Sequence, residues 1–223
     1  INDYLSVISK NKKLKALVTA GPTNEYIDPV RFITNKSSGK QGYEIAKSLS
    51  RNGFQTILIS GPTDLKIDDD IKLIKVETAE QMFKETQKNL PADVAIFTAA
   101  VADFKVINKS KNKIKKKEEL TIKLERNIDI LSFVSNHNSM RPKLVIGFAA
   151  ETNNLEENAI NKLQDKNCDI IIANDVSNQK IGFDSDFNEV QIFYKNKKKE
   201  KLFAKKKSVI SDEIVSRINS QLH

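Results

Sequence analysis

The sequence is poor in the residues that carry redox, metal and membrane chemistry. Its one cysteine, Cys168 in "NCDIIIAN", rules out an internal disulfide framework and points to a reducing, cytoplasmic setting. Two histidines, His137 and the terminal His223, are too few for a His/Cys metal cluster. A Ser-His-Asp triad would have to use His137, which sits in the polar stretch "SNHNSMRP". No apolar run approaches the roughly 20 residues of a membrane span. The opening "INDYLSVISKNKK" lacks the pattern of a signal peptide, and it begins at Ile1 rather than Met. The expectation is a piece of a longer polypeptide.

What is present suits a folded α/β protein. With 39% hydrophobic and 30% charged residues, the 223-residue chain can bury a core. The net charge of +8 is concentrated in "NKSKNKIKKK" (108–117) and "KNKKKEKLFAKKK" (195–207). Such lysine runs serve as solvated loops or protected strand edges, or attract a small polyanion. Nucleic-acid binding would need aromatic residues among the lysines or an RRM, KH or helix-turn-helix pattern; the aromatic residues are few and no such pattern is found.

Apolar runs alternate with helical spacing along the chain. "LKALVTA" (14–20), "TILIS" (56–60), "IKLIKV" (71–76), "DVAIFTAA" (93–100), "KLVIGFAA" (143–150) and "DIIIAND" (169–175) read as strands, four of them apolar enough for burial on both faces. Helical spacing covers Gly39–Asn52, Ala79–Asn89, Ile128–Asn136 and Leu155–Lys166, with Gly53 closing the first. Alternation of this kind predicts a doubly wound, mostly parallel, Rossmann-like sheet. "EVQIFYK" (189–195) and "KEKLFAK" (199–205) add an antiparallel hairpin near the C-terminus, before a closing amphipathic helix. "LTIKLE" (120–125) reads as a strand of an excursion. Residues 1–13 are expected to be an extension or linker and 14–223 one domain.

Ligands of such sheets sit beyond the carboxyl ends of the strands. After the first strand comes "GPTNEYIDPVRFITNKSSGK", far longer than the usual βα loop of about 2–6 residues. It matches neither G-x-G-x-x-G nor the Walker pattern. Ser37 or Ser38 can cap the helix that opens at Gly39, where backbone N–H groups attract phosphate. After the fourth strand, Ala99 and Ala100 are small enough to admit a flat ring or ribose, and Asp103 can hold a hydroxyl or a magnesium ion carrying phosphates. Glu151, Asn174 and Asp175 end the next two strands on the same rim.

The strings "TAGPTNEYIDPVRFITNKSSGKQG", "AAVADF", "KIKK", "GFAAETNN", "ANDV" and "GFDSDFNEV", in this order and spacing, resemble the phosphopantothenate–cysteine ligase family from about Lys15 to the C-terminus. In many bacteria this is the C-terminal half of a bifunctional coenzyme A biosynthesis protein whose other half is a flavin-dependent decarboxylase. The resemblance implies CTP and Mg2+ as co-substrate and cofactor, 4′-phosphopantothenate and L-cysteine as substrates, and a homodimer in which one subunit reaches the other's site. It assigns Asn35 to the acyl-cytidylate intermediate and Lys113, in "KIKK", to the phosphates. Arg31 falls to the anionic substrate, and Ser37, Ser38 and Gly39 to a phosphate-holding helix start. Ala99, Ala100, Asp103, Phe148, Phe183 and Asp184 fall to the nucleotide pocket, while Lys115, Lys116 and Lys117 are left as solvent-facing charge. Phe32 and Thr34 stand where other members often carry tyrosine and serine. The long loop then has a reason: it must serve a nucleotide and a phosphorylated acid and present Asn35 between them.

Two rivals use the same residues differently. A nicotinamide-dependent oxidoreductase would need a glycine fingerprint and an acidic residue ending the second strand, which here runs "ISGPT" with no carboxylate until Asp64. A lysine-rich RNA-binding module would show salt-sensitive RNA binding and no CTP-dependent pyrophosphate release.

Overall fold

A computed structural model of the chain describes residues 13–115, 119–177 and 185–222. Strand β1 (Lys15–Ala20) leads into a short hairpin, β2 (Asn24–Tyr26) and β3 (Phe32–Thr34), and then helix α1 (Lys40–Arg51). Next come β4 (Gln55–Ser60), β5 (Lys72–Lys75), α2 (Ala79–Lys88) and β6 (Val94–Phe97). The excursion β7 (Phe104–Val106) and β8 (Leu124–Arg126) precedes α3 (Ile130–Ser135), β9 (Leu144–Glu151), α4 (Leu155–Asp165) and β10 (Ile170–Asp175). The chain closes with β11 (Phe187–Tyr194), β12 (Lys199–Lys206) and α5 (Lys207–Leu222).

The main sheet has the order β12-β11-β10-β9-β6-β1-β4-β5. The six strands from β5 to β10 run parallel, and β11 and β12 add an antiparallel edge, as the alternation of patterns predicts. Because side chains alternate along a strand, β1 feeds two cores. Ala16, Val18 and Ala20 pack with Ile45 and Leu49 of α1 and Ile210 and Ile214 of α5, whereas Leu17 packs on the other face with Met82 of α2 and Val134 of α3. Helix α1 buries Gly42, Ile45, Ala46 and Leu49, a three-and-four spacing that forms one stripe. Helix α2 starts with a capping box: Thr78 Oγ1 accepts from the Gln81 N–H, and Gln81 Oε1 accepts from the Thr78 N–H.

Four local expectations are corrected. The long first loop is partly strand, since β2 and β3 pair within it and the buried Glu25 carboxylate accepts the N–H of Ala79 at the start of α2, at 2.9 Å. Neither Ser37 nor Ser38 caps α1; its N-cap is Gly39, at φ 73° and with no side-chain cap. The fourth strand ends at Phe97, and Thr98 beyond it donates both its N–H and its hydroxyl to the Thr19 carbonyl, at 3.1 and 2.7 Å. In the excursion only Leu124 to Arg126 forms strand, pairing antiparallel with β7. The expected extension over 1–13 lies, apart from its last residue, outside the described residues.

Candidate active site

The sheet reverses its order at β1: the chain runs outward through β4 and β5, then returns to place β6 on the other side. The crevice between the ends of β1 and β6 is therefore where a ligand finds room. Backbone closes its floor. Ala100 N–H donates to the Gly21 carbonyl at 2.9 Å, and Pro22 bridges to Ala100. Gly21 and Gly39, both at φ 73°, sit so close that a Cβ on Gly39 would lie 3.3 Å from the Gly21 Cα. A Cβ on Gly42 would come within 2.3 Å of Thr98 Oγ1, and one on Gly61 within 1.6 Å of the Pro22 carbonyl oxygen. Strand ends and helix start thus meet at distances only glycine permits.

The Asn35 arm is seated on the opposite wall. Its Nδ2 donates to the Val101 carbonyl at 3.0 Å, which joins the "RFITN" segment to the "AAVAD" segment across 66 residues. Thr23 Oγ1 accepts the Ala102 N–H at 3.0 Å, and Thr34 Oγ1 donates to the Thr23 carbonyl at 2.9 Å. From the other side Asn127 holds the Ala102 and Asp103 carbonyls at 2.9 and 2.8 Å. Asp103 itself is exposed beside Asn35's partner segment. Ser37 Oγ accepts the Gly39 N–H at 3.3 Å, a local turn leading into α1.

Arg31 meets the backbone of Ile114, the residue after Lys113, through a clasp that spacing along the chain does not reveal. The buried Asp28 accepts Arg31 Nη1 at 2.8 Å and the Ile114 N–H at 3.1 Å, and Arg31 Nη1 also donates to the Ile114 carbonyl at 3.2 Å. The lysine loop is fastened twice more: Ser110 N–H donates to the Ile27 carbonyl at 2.9 Å, and Lys109 Nζ lies 4.8 Å from the Tyr26 ring centre. Lys113 and Lys115 are exposed; Lys116, Lys117, Phe183 and Asp184 lie outside the described residues.

Phe148, near the end of β9, is half-buried, and its carbonyl accepts from Lys162 Nζ at 2.8 Å. Burial pushes the Lys162 ammonium below the usual lysine range, while Glu151 and Asp129 pull the other way. Lys166, one turn on, pairs with Asp129 at 2.7 Å. This cationic pair was missed in the sequence. Its signal was present, because Lys162 follows Ala159 by three residues on the buried stripe of α4. Glu151 and Asp175 share the rim in register, though Glu151 accepts from Asn158 at 2.8 Å and Asp175 closes a turn with Ser177.

Other chemistry-bearing groups are structural. Cys168 is fully buried, and burial, with Asp169 adding to it, pushes its thiol up to about 12. His137 Nδ1 accepts the Met140 N–H at 3.2 Å and its ring packs edge-on to Phe133, so it shapes a turn. A groove of about 390 Å³ beside α1 contains Lys40, Lys47 and Lys66, with Lys40 on Asp186 at 2.7 Å and Lys47 on Glu44 at 3.2 Å; it includes none of the crevice residues.

Comparison with known proteins agrees with this geometry. The family model for the DNA/pantothenate metabolism flavoprotein C-terminal domain matches residues 11–222. The chain is 40% identical over 220 residues to the coenzyme A biosynthesis bifunctional protein CoaBC of Haemophilus influenzae, covering 98% of the chain and 54% of that protein. It is 42% identical over 205 residues to the CoaBC of Bacillus subtilis, covering 91% and 50%. The chain thus spans about half the length of the curated relatives it matches. The crystal structure of the C-terminal domain of CoaBC superposes with a TM-score of 0.78 at 39% identity, covering 94% of this chain and 95% of that one.

Proposed function

Because the chain belongs to the DNA/pantothenate metabolism flavoprotein C-terminal domain family, we propose that it joins 4′-phosphopantothenate to L-cysteine, with CTP as the activating nucleotide. The observation that carries this reading is the Asn35–Val101 contact across the switch point. It puts a neutral amide between the hairpin that bears Arg31 and the small-residue wall of Ala99 and Ala100.

A carboxylate is a poor acyl donor until one of its oxygens becomes part of a leaving group. In the first step the substrate carboxylate attacks the α-phosphorus of CTP, a P–O bond to the β-phosphate breaks, and pyrophosphate leaves. In the second, the cysteine amine attacks the acyl carbon, the amide forms, CMP leaves and the amine gives up its proton. The glycines at 21 and 39 let backbone come close to the phosphates, and α1, which has no side-chain cap, presents its first amides to them. Ser37, Ser38 and Gly39 form this helix start. Ala99 and Ala100 leave space for the base and ribose, with Phe148 on the strand next to β6, its carbonyl held by the Lys162 cation. Lys113 answers the charge that builds on the departing pyrophosphate, and Asn35 hydrogen-bonds the acyl oxygen of the intermediate without adding a repelling charge. Arg31 keeps Nε and Nη2 for the anionic substrate, since only its Nη1 is engaged among the described residues.

Among the described residues no three His, Cys, Asp or Glu side chains gather as a metal cage. A single carboxylate with triphosphate oxygens fits Mg2+, which keeps most of its water and takes one or two protein ligands. Asp103 is the residue that would hold it, and Mg2+ would supply charge neutralisation at the phosphates.

The assembly follows from exposed apolar surface. Of the eleven large hydrophobics that stand exposed among the described residues, seven (Val30, Phe32, Phe104, Ile107, Leu120, Leu124 and Ile128) belong to the two small hairpins or their connections. A second copy covering them forms a homodimer in which the Asn35 and Lys113 arms lie at the interface. Residues 14–223 are the ligase domain, and the relatives' bifunctional name supports a decarboxylase half on a longer chain. The single cysteine supports a reducing, cytoplasmic setting, and no helix among the described residues is long and apolar enough to cross a membrane.

The decisive assay follows pyrophosphate release with phosphopantothenate, comparing CTP with ATP, with and without cysteine. The expected result is release with CTP alone, CMP on adding cysteine, and a sharp loss with ATP. Absence of CMP with every reactant present overturns the reading, and equal rates with ATP overturn the choice of nucleotide.

A further inference from the structure

Asp28 is fully buried and makes two separable sets of contacts. Its Oδ1 accepts the N–H groups of Val30 and Arg31 at 2.8 and 2.9 Å, an ordinary turn closed by an aspartate on its own backbone. Its Oδ2 does something the turn does not require. It accepts Arg31 Nη1 and, 86 residues away in sequence, the Ile114 N–H. Arg31 then returns a hydrogen bond to the Ile114 carbonyl, so both polar groups of that residue are gripped. Burial by itself would raise the Asp28 carboxyl, but the N–H groups of Val30, Ile114 and Arg31, then the guanidinium, outweigh it and hold it below the usual carboxylate range.

Beyond the Ser110–Ile27 hydrogen bond and the Lys109–Tyr26 contact, the loop it grips carries charge that works against order. Lys109, Lys111, Lys113 and Lys115 are exposed like charges within a few residues of one another. Holding such a loop near a phosphate costs conformational entropy at each turnover unless it is ordered beforehand. A buried carboxylate that accepts the Ile114 N–H, with Arg31 on the Ile114 carbonyl, offsets that cost before the substrate arrives, and it does so at the residue next to Lys113.

We propose that Asp28 is a positioning residue: through Ile114 it delivers Lys113, and through Nη1 it aims Arg31, so that the two cations act from one rigid unit. This rests on the roles given to Lys113 and Arg31 above.

Asp28→Asn tests it, because the amide keeps an oxygen for the turn yet turns an NH2 toward the Ile114 and Arg31 donors. Ile114→Pro removes the N–H from the other side of the same bond, in an exposed loop, and serves if the first variant folds poorly. Each is expected to speed tryptic cleavage after Lys109 and Lys111 by at least about tenfold, because local opening governs proteolysis. Each should also lower kcat for pyrophosphate release by about tenfold or more. The double variant should lose no more than either single one. Wild-type trypsin resistance and turnover in both variants overturn the proposal, as do losses that simply add, which would make Asp28 a stabiliser of its own turn. The trypsin measurement needs no substrate. If wild-type protein releases no pyrophosphate, the functional reading and the positioning role fall together, while trypsin still decides whether the clasp exists.

Discussion

Replacing Gly61 by alanine probes the floor of the crevice with one methyl group. The added carbon would lie 1.6 Å from the Pro22 carbonyl oxygen and 2.8 Å from its carbon, both backbone atoms, so no side chain can swing aside. Reaching even 3.0 Å requires the Gly21–Pro22 segment to move by more than an ångström. That segment accepts the Ala100 N–H at 2.9 Å, and Gly61 N–H donates to the Ala20 carbonyl at 2.9 Å. Overpacking of this kind costs about 1–3 kcal/mol, and a weakened backbone hydrogen bond about 1 kcal/mol more. A loss of roughly 2–4 kcal/mol is expected in urea unfolding, a large part of the stability of a single domain. Because the shift carries Ala99, Ala100 and the Asn35 contact with it, turnover should fall by about 100-fold. Gly53→Ala is the control: Gly53 has φ 84° but no heavy atom within 4 Å of an added Cβ. It should cost about 1–2 kcal/mol of backbone strain and leave turnover unchanged. Equal stability and turnover for Gly61→Ala and wild type would refute the steric argument and the placement of the crevice.

Three further outcomes are expected. Asn35→Ala should still release pyrophosphate but accumulate acyl cytidylate, detectable by mass spectrometry; normal amide formation would remove Asn35 from that role. Lys113→Gln should lower turnover by about tenfold or more, about 1.4 kcal/mol of barrier, and wild-type rates would return Lys113 to surface charge. Glu200 accepts from Lys198 at 3.0 Å, Arg217 at 2.8 Å and Tyr194 at 2.9 Å, with Lys198 the largest influence, and its carboxyl is pulled down to about 2. An unfolded glutamate titrates near 4.3, so the unfolded chain binds more protons between those values and this stabilisation drains away as pH falls from about 4 to 2. The gap in urea midpoint between wild type and Glu200→Gln should be full at pH 6 and close toward pH 2; a pH-independent gap would deny the ion pair its role.

Much of the architecture was legible in the chain. "TILIS", "KLVIGFAA" and "DIIIAND" are apolar on both faces because their strands lie inside a parallel sheet, and each strand was found within a residue or two. Helix α1 was visible from the spacing of Ile45, Ala46 and Leu49, which needs only the helical period. The Asn35 and "AAVAD" segments were legible as candidates, and the fold brings them into contact. Serine capping was misjudged because a left-handed Gly39, forced by its closeness to Gly21, takes the N-cap instead.

What the sequence by itself determined is periodic and local: which segments are strand or helix, which ends are small or charged, and where the chain must turn. Only tertiary structure decided that β6 returns beside β1, that Gly42 and Gly61 leave room for a neighbouring backbone, that Lys162 grips the Phe148 carbonyl, and that Asp28 reaches Ile114. The physical reason is range. A period is written in residues three, four or two apart, whereas the burial of one carboxylate or the clearance above one glycine sums contributions from segments that meet only once the sheet is assembled.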